Sequence, residues 1–516
     1  MGESRTRKAS KNIVVGILSK FVMMLFAFIT RTLFIRTLGA EYNGVNGLYS
    51  NILAVLSLSE LGVGNVLNYA LYSALRNNNI EKVKSLVCYF RKIYYGIAFA
   101  ISVIGLALIP FLRFIINSNL PQDELINYYL LYLINSIVSY FVVYKTTVIV
   151  ADQNNYISSA CEIVTTIIMY VAQCIYLLSF RDFFGFLFIQ VLCTILKNIL
   201  LNSITNKKYP YLKCLDNRKL CLQKKEKKLI IDNIKSTFLY KIAAVILNNT
   251  DNILISIIVG TVYVGYYSNY YMIINYITAF ISIFITGIMA SLGNLNAENN
   301  KAMSYEMFNI LCLIFTFVGT VTMCCLMNCF QLFIKIWIGP NNVMDFIWVI
   351  VIALNHFLVT MMNPIWMFRE TMGLFRQVKF ILLITAGLNI IFSIVLGNLF
   401  GVPGILSATF LAKIVSQYWY EPMILFKKFD KPVFQFYANQ IKQVVVMLVA
   451  VVLSMVICNF MDDNIVCFFV RIIVSVMIAV LMVGVFNYRS EAMHQIHIRY
   501  VKPIIGRFLV RYHRKK

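Results

Sequence analysis

The sequence predicts an all-helical membrane protein that crosses the bilayer about fourteen times, as two parallel six-helix repeats followed by two further helices. Three observations carry that expectation. First, 60% of the 516 residues are hydrophobic and only 13% are charged, with a mean hydropathy of +0.76, beyond the range of soluble domains. Second, apolar runs of the roughly 20 residues needed to span the hydrocarbon core recur from end to end. Third, one stretch occurs twice: a shift of 221 positions lays Asn12, Lys20, Leu33, Gly39, Tyr42, Gly44 and Tyr49 on Asn233, Lys241, Leu254, Gly260, Tyr263, Gly265 and Tyr270. The duplicated unit is an apolar segment, a G-x-x-Y-x-G turn and a second apolar segment, and its period is too long for a solenoid.

Taken in order, the expected spans cover residues 12–37, 44–72, 87–116, 124–150, 156–180 and 183–203. After a break they resume at 231–260, 264–294, 304–332, 343–368, 376–400, 404–426, 434–460 and 464–487. The basic start (Arg5, Arg7, Lys8, Lys11) runs straight into the first of them, which is therefore expected to act as the targeting signal rather than as a cleaved peptide. The break is basic, with nine Lys and Arg between Lys207 and Lys228. The expected organisation is thus 1–203 as a first six-helix bundle, 204–230 as a linker, 231–427 as a second bundle, 428–487 as helices 13 and 14, and 488–516 as a basic amphipathic tail.

The net charge of +24 invites a nucleic-acid reading, but its distribution answers to membrane topology. With the N-terminus inside, the outer side of the expected spans carries only Arg36, Arg113, Arg181 and Lys335, so the cations gather on what is then the cytoplasmic face. Both termini are expected inside, in a plasma membrane. Because six spans separate the two copies, both copies start inside and run the same way, as parallel repeats. The twelve cysteines fall mostly in apolar segments without a C-x-x-C pair, as small packing residues do. No outer loop is long enough to fold into a catalytic domain. Asp345, the Asp462-Asp463 pair and His356 each lack a second convergent group, which argues against an enzyme.

An ionisable residue at membrane depth costs on the order of 3 kcal/mol on insertion scales and usually faces the bundle interior. Lys20 and Arg31 are 11 residues apart on one helix, ~16 Å along the axis, so they share a face. The matching face of span seven carries Lys241, Asn248 and Asn252. A cationic stripe turned the same way in both repeats points to a cavity between halves. The competing reading is that these side chains, and Arg36 above all, snorkel to headgroups. Lys145 and Glu162 lie near inner ends and read as interfacial. Lys413 lies near the middle of span twelve with Thr409, Gln417 and Tyr420 on its face, as a cavity lysine would. Among the acids, Glu60 either neutralises a buried lysine or couples an ion. Asp251, within Asn248-Asn249-Thr250-Asp251-Asn252, is either a Na⁺ or H⁺ site or part of a helix-helix hydrogen-bond cluster.

Four stretches carry a family resemblance. They are Arg31-Thr-Leu-Phe-Ile-Arg-Thr-Leu-Gly39, Glu41-Tyr-Asn-Gly-Val-Asn-Gly-Leu48, Ser59-Glu-Leu-Gly-Val-Gly64 and Asn249-Thr-Asp-Asn-Ile-Leu-Ile-Ser256. With the span count and the repeat, the chain resembles the bacterial polysaccharide biosynthesis transporters. These are the Wzx-type lipid-linked oligosaccharide flippases of the multidrug/oligosaccharidyl-lipid/polysaccharide exporter (MOP) superfamily. The resemblance implies two six-helix bundles around a central cavity, alternating access, and an oligosaccharide on undecaprenyl diphosphate as substrate. A diphosphate would account independently for the cations, through charge-assisted hydrogen bonds. On this basis Lys20, Arg31, Lys241, Asn248, Asn252 and Lys413 are the expected substrate-binding residues, and Glu60 and Asp251 the ion-coupling ones. No cofactor or metal is expected beyond Na⁺ or H⁺ as coupling ion. The expected partners are the lipid-linked oligosaccharide, membrane lipids and, by contact, the polysaccharide polymerase or glycosyltransferases, with no nucleic acid. The alternatives are a multidrug or small-molecule cation antiporter on the same fold, and a membrane glycan polymerase or transferase.

Overall fold

Long apolar segments with unsatisfied backbone groups can cross a bilayer only as helices or closed barrels, and the periodicity here selects helices. The structure, a computed structural model, describes residues 5–57, 63–213, 222–298 and 300–498, and these contain no strand. They pack as two compact units, Met1–Ser268 and Asn269–Lys516.

The first unit holds α1 (Arg5–Leu38), α2 (Ala40–Leu56), α3 (Val63–Arg76), α4 (Ile80–Leu108), α5 (Leu112–Ile115), α6 (Gln122–Ser139), α7 (Val143–Ala151), α8 (Asn155–Phe180), α9 (Phe183–Lys208) and α10 (Lys224–Ile258). Here α1 packs on α8, α8 on α9, α9 on α6, and α10 on α2. The helix α11 (Thr261–Ala297) begins in the first unit and continues into the second. Its companions there are α12 (Lys301–Ile338), α13 (Phe346–Thr371), α14 (Phe375–Phe400), α15 (Val402–Val415), α16 (Gln417–Phe429), α17 (Phe434–Cys458), α18 (Ile465–Asn487) and α19 (Glu491–Ile496). The post of this unit is α12, which touches α13, α17 and α18. In its most apolar window 61% of residues are buried, against 11% for α18, whose side chains mostly face outward. At one end of the post Phe308, Phe368, Phe426, Phe429 and Phe436 form an aromatic core, with Phe308 edge-on to Phe368 and Phe426 at 5.5 and 5.6 Å.

The duplicated turn explains its own glycines. Gly39 and Gly260, at equivalent places, both adopt positive φ (91° and 138°), where a side chain would be strained. Five residues on, Gly44 and Gly265 pack against one another's backbone. A Cβ on Gly44 would lie 1.9 Å from the Thr261 carbonyl oxygen, and one on Gly265 would lie 2.0 Å from that of Ala40. Asn43 fastens the crossing, its Nδ2 donating to the Gly265 carbonyl at 2.8 Å.

By length and apolarity ten helices among the described residues can cross a membrane, eleven if α6 and α7 count as one bent span. The remaining expected spans fall on α2 with α3, on α10, which is one continuous helix, and on α15 with α16, which are separated by a break. Residues 58–62 lie outside the described structure between α2 and α3. α10 starts seven residues before the expected 231, taking in Lys224, Lys225, Lys227 and Lys228, and so part of the segment expected to be linker is helical. The expected single span at 124–150 bends by 47° between α6 and α7. There Asn198 Nδ2 donates to the Val138 carbonyl at 2.6 Å, satisfying backbone that the bend loosens. The expected span at 404–426 breaks at Ser416, whose hydroxyl hydrogen-bonds the Ala412 carbonyl at 2.5 Å and the Thr385 hydroxyl at 2.7 Å. A side chain that competes for the helix's own carbonyl in this way favours a break.

Candidate functional site

In the first unit, Arg31 is half-buried on α1, and its charge acts on the buried Tyr132 hydroxyl of α6. Tyr132 in turn donates to the Asn46 side-chain oxygen on α2. Arg36, one and a half turns on, is exposed. Lys20 is exposed on α1. The side chains of Lys241 and Asn248, and all of Glu60, lie outside the described residues.

The polar run of α10 divides into two roles. Asn249 and Thr250 turn back onto their own helix, donating to the carbonyls of Val245 and Ile246 at 2.9 and 2.8 Å. Asp251 is half-buried, and Asn252 is buried with a side-chain oxygen that meets no donor among the described residues. A buried amide oxygen left open in this way can accept from a ligand or from water.

Lys145 corrects its interfacial reading. Its side chain is buried in the first unit, donating to Asn202 Oδ1 at 2.7 Å and Asn206 Oδ1 at 2.9 Å on α9, with Arg91 of α4 close enough to act on it electrostatically. Glu162, by contrast, is exposed. The cause is the bend before α7, which turns Lys145 toward the amide ladder of α9.

In the second unit Lys413 is half-buried near the end of α15. Thr409 shares its helix and accepts from Asn389 Nδ2 at 2.8 Å. Gln417 and Tyr420 do not continue that face, because the break at Ser416 assigns them to α16. The sequence reading missed the most deeply buried ion pair described: Arg369 on α13 donates through Nη1 to both carboxylate oxygens of Glu421 on α16, at 3.0 and 2.9 Å, with side chains 6% and 1% exposed. The available signal was an acid and a base near the same end of two expected spans. His356 is buried on α13 and its Nε2 has no partner among the described residues, while Asp463 accepts from Lys335 and Arg471. Among the described residues no group of His, Cys, Asp or Glu could hold a metal ion.

Residues 9–290 match the family described as polysaccharide biosynthesis protein. No curated protein gives a significant match. Among solved structures, the chain is similar to the lipid II flippase MurJ in an inward closed conformation, with TM-score 0.62 and 14% identity over 92% of this chain and 99% of that one. It is also similar to an inward-facing multidrug resistance MATE family transporter of the MOP superfamily, with TM-score 0.60 and 13% identity over 81% and 98% of the two chains. A third is a MOP superfamily transporter from Pyrococcus furiosus whose reverse polarity of binding pocket suggests a different function, with TM-score 0.51 and 13% identity over 82% and 96%. These likenesses establish the fold that flippases and MATE transporters of the MOP superfamily share, in a multi-pass membrane protein. The family match spans more than half of the chain, which belongs to the polysaccharide biosynthesis protein family.

Proposed function

We propose that the protein is a flippase that moves an oligosaccharide linked to undecaprenyl diphosphate from the inner to the outer leaflet of a bacterial plasma membrane, for surface polysaccharide synthesis. In this reading two six-helix halves alternate access around a cavity, with fourteen spans and both termini in the cytoplasm. The observation that carries the proposal is the match of residues 9–290 to the polysaccharide biosynthesis protein family, and Arg31, half-buried on α1, is the first cation proposed to meet the substrate. A diphosphate leaving water needs charge-assisted donors, and a guanidinium supplies them. Lys20, Lys241 and Lys413 are the further cations proposed to meet it, with Asn248 and the open amide oxygen of Asn252 available to sugar hydroxyls. Glu60 and Asp251 are the proposed sites of Na⁺ or H⁺ coupling. The polysaccharide polymerase or glycosyltransferases are the proposed neighbours at the membrane.

The second reading, an antiporter of drugs or small cations, is favoured by the likeness to the MATE transporter. Depletion of the protein separates the two. A flippase leaves lipid-linked sugar accumulating on the inner leaflet, read as an enriched lipid-linked glycan profile. Unchanged glycan lipids together with lost dye efflux would select the antiporter.

A further inference from the structure

The first turns of α17 carry Gln435, Asn439 and Gln443 at intervals of four, which puts three amides on one face of the helix. That face borders a cavity of about 210 Å³ in the second unit, walled also by α12, α16, the end of α18 and α19. At its deep end two amides pair reciprocally, Gln443 Nε2 donating to Asn487 Oδ1 at 2.8 Å and Asn487 Nδ2 to Gln443 Oε1 at 3.1 Å, with both residues 2% exposed. Nearer the surface the exposed Asn439 accepts from Gln443 Nε2 at 3.2 Å through Oδ1, which leaves its own amide hydrogens to the cavity. The wall formed by α19 is held in place by Ala492, Met493 and Ile496, packed against Leu313, Val446 and Val483.

Three more polar side chains on the wall serve no contact within the protein. Asn309 of α12, Gln435 of α17 and Glu491 of α19 line the cavity and meet no hydrogen-bond partner among the described residues. Solvation of a helix end does not by itself select amides. The neighbouring sequence is rich in cations, yet no Lys or Arg lines the cavity: Lys431 lies over the Tyr305 ring at 5.7 Å, and Lys442 donates to the Phe486 carbonyl at 2.8 Å. Among the described lining residues Glu491 alone carries a charge, so the cavity disfavours phosphates and carboxylates. Amides and a carboxylate suit hydroxyls instead, because a hydroxyl both donates and accepts and an amide answers in both senses. Phe426, Phe436 and Tyr305 add apolar wall on which the C–H face of a sugar ring can rest. The volume lies below the roughly 300 Å³ at which pockets take drug-sized molecules, and suits one ring.

We propose that this cavity binds a single neutral sugar ring, whose hydroxyls meet Asn309, Gln435, Asn439 and Glu491. The site shares no residue with the one proposed for the diphosphate, and it stands whether the protein transports a lipid-linked glycan or a drug. It is tested on the full chain, purified in a detergent without a sugar headgroup, by saturation-transfer NMR with the methyl glycosides of glucose, galactose and N-acetylglucosamine. At least one glycoside should bind the wild-type protein saturably. Each lost hydrogen bond should weaken that binding about threefold or more, so Gln435→Leu should show about a threefold loss and Asn309→Leu/Gln435→Leu about a tenfold loss. Neither residue holds another part of the protein, so the thermal unfolding midpoints should match that of the wild type. If the double variant proves unstable, Gln435→Leu decides alone, because Gln435 is exposed at the start of its helix. Absence of saturable binding for all three glycosides, or equal binding by wild type and Gln435→Leu, would overturn the site. Inorganic phosphate that displaced the bound glycoside at equal concentration would make it an anion site, which also overturns the proposal.

Discussion

Arg369 and Glu421 show what a buried charge requires. Each ion alone would be strongly penalised by burial, and the bidentate contact at 3.0 and 2.9 Å offsets that only while both are present. Arg369→Met should therefore destabilise the protein by about 3–5 kcal/mol, and the double variant Arg369→Met/Glu421→Leu should regain most of the loss, read as detergent unfolding midpoints. Two equal losses with no recovery would mean that the pair acts through packing alone. The lysines proposed to meet substrate make a different prediction. Removing one charge that interacts by a few kcal/mol with a diphosphate should cost on the order of 10 to 100-fold in transport. Complementation of a flippase-null strain by Lys20→Gln, Lys241→Gln and Lys413→Gln at matched abundance measures it, with the Lys→Arg variants less impaired. Normal surface glycan in all three Gln variants would return these residues to headgroup anchors. Asp251→Asn should abolish dependence on the Na⁺ or H⁺ gradient while leaving the protein inserted, and full gradient-dependent transport in that variant would reduce the Asn249 to Asn252 run to helix packing.

At the scale of helices, the crossing of α2 with the start of α11 is set by two glycines. The atoms that a new Cβ would strike on Gly44 and Gly265 are backbone carbonyl oxygens, at 1.9 and 2.0 Å, and backbone cannot swing aside as a flexible side chain can. Gly44→Ala and Gly265→Ala should each cost about 1–3 kcal/mol, the range for overpacking. Gly96→Ala is the control, since nothing lies within 4 Å of its new methyl and Ala is the better helix former, so it should be neutral or slightly stabilising; a loss equal to that at Gly44 would rule out the crossing as the cause. The link from α12 to the start of α18 is weaker and depends on pH. Asp463 has its carboxyl pKa held below the usual range, chiefly by the hydrogen bond from Lys335. Its contribution is then fully present above the unfolded value of about 3.9 and is lost as pH falls through the lower folded value. Because both Lys335 and Asp463 are half-exposed, the contribution is about 1 kcal/mol or less. The stability difference between wild type and Asp463→Asn should stay constant from pH 7 to pH 5 and shrink only in stronger acid, as thermal melts across that range would show.

For the whole molecule, the distribution of Lys and Arg makes a prediction of sidedness. With an even number of spans, the segment from Lys207 to Lys228 and the C-terminal tail should be cytoplasmic. Cys214 and Cys221 probe it directly: an impermeant maleimide should leave both unlabelled in intact cells and label them after permeabilisation. Labelling from outside would mean that the span count is odd before this segment.

Composition, hydropathy and the 221-residue repeat by themselves determined that the chain is helical, crosses a membrane many times and is internally duplicated, because each is a sum or a period along one dimension. The repeat also marked Gly39, Gly44, Gly260 and Gly265 before any reason for them was visible. The tertiary structure decided who meets whom. It buried Lys145 between Asn202 and Asn206, paired Arg369 with Glu421, set Gly44 against Gly265, and divided the Lys413 face at Ser416. Such pairings join residues from 52 to more than 200 positions apart on different helices, and a hydropathy pattern records only which face is apolar, not the rotation that brings one polar side chain to another.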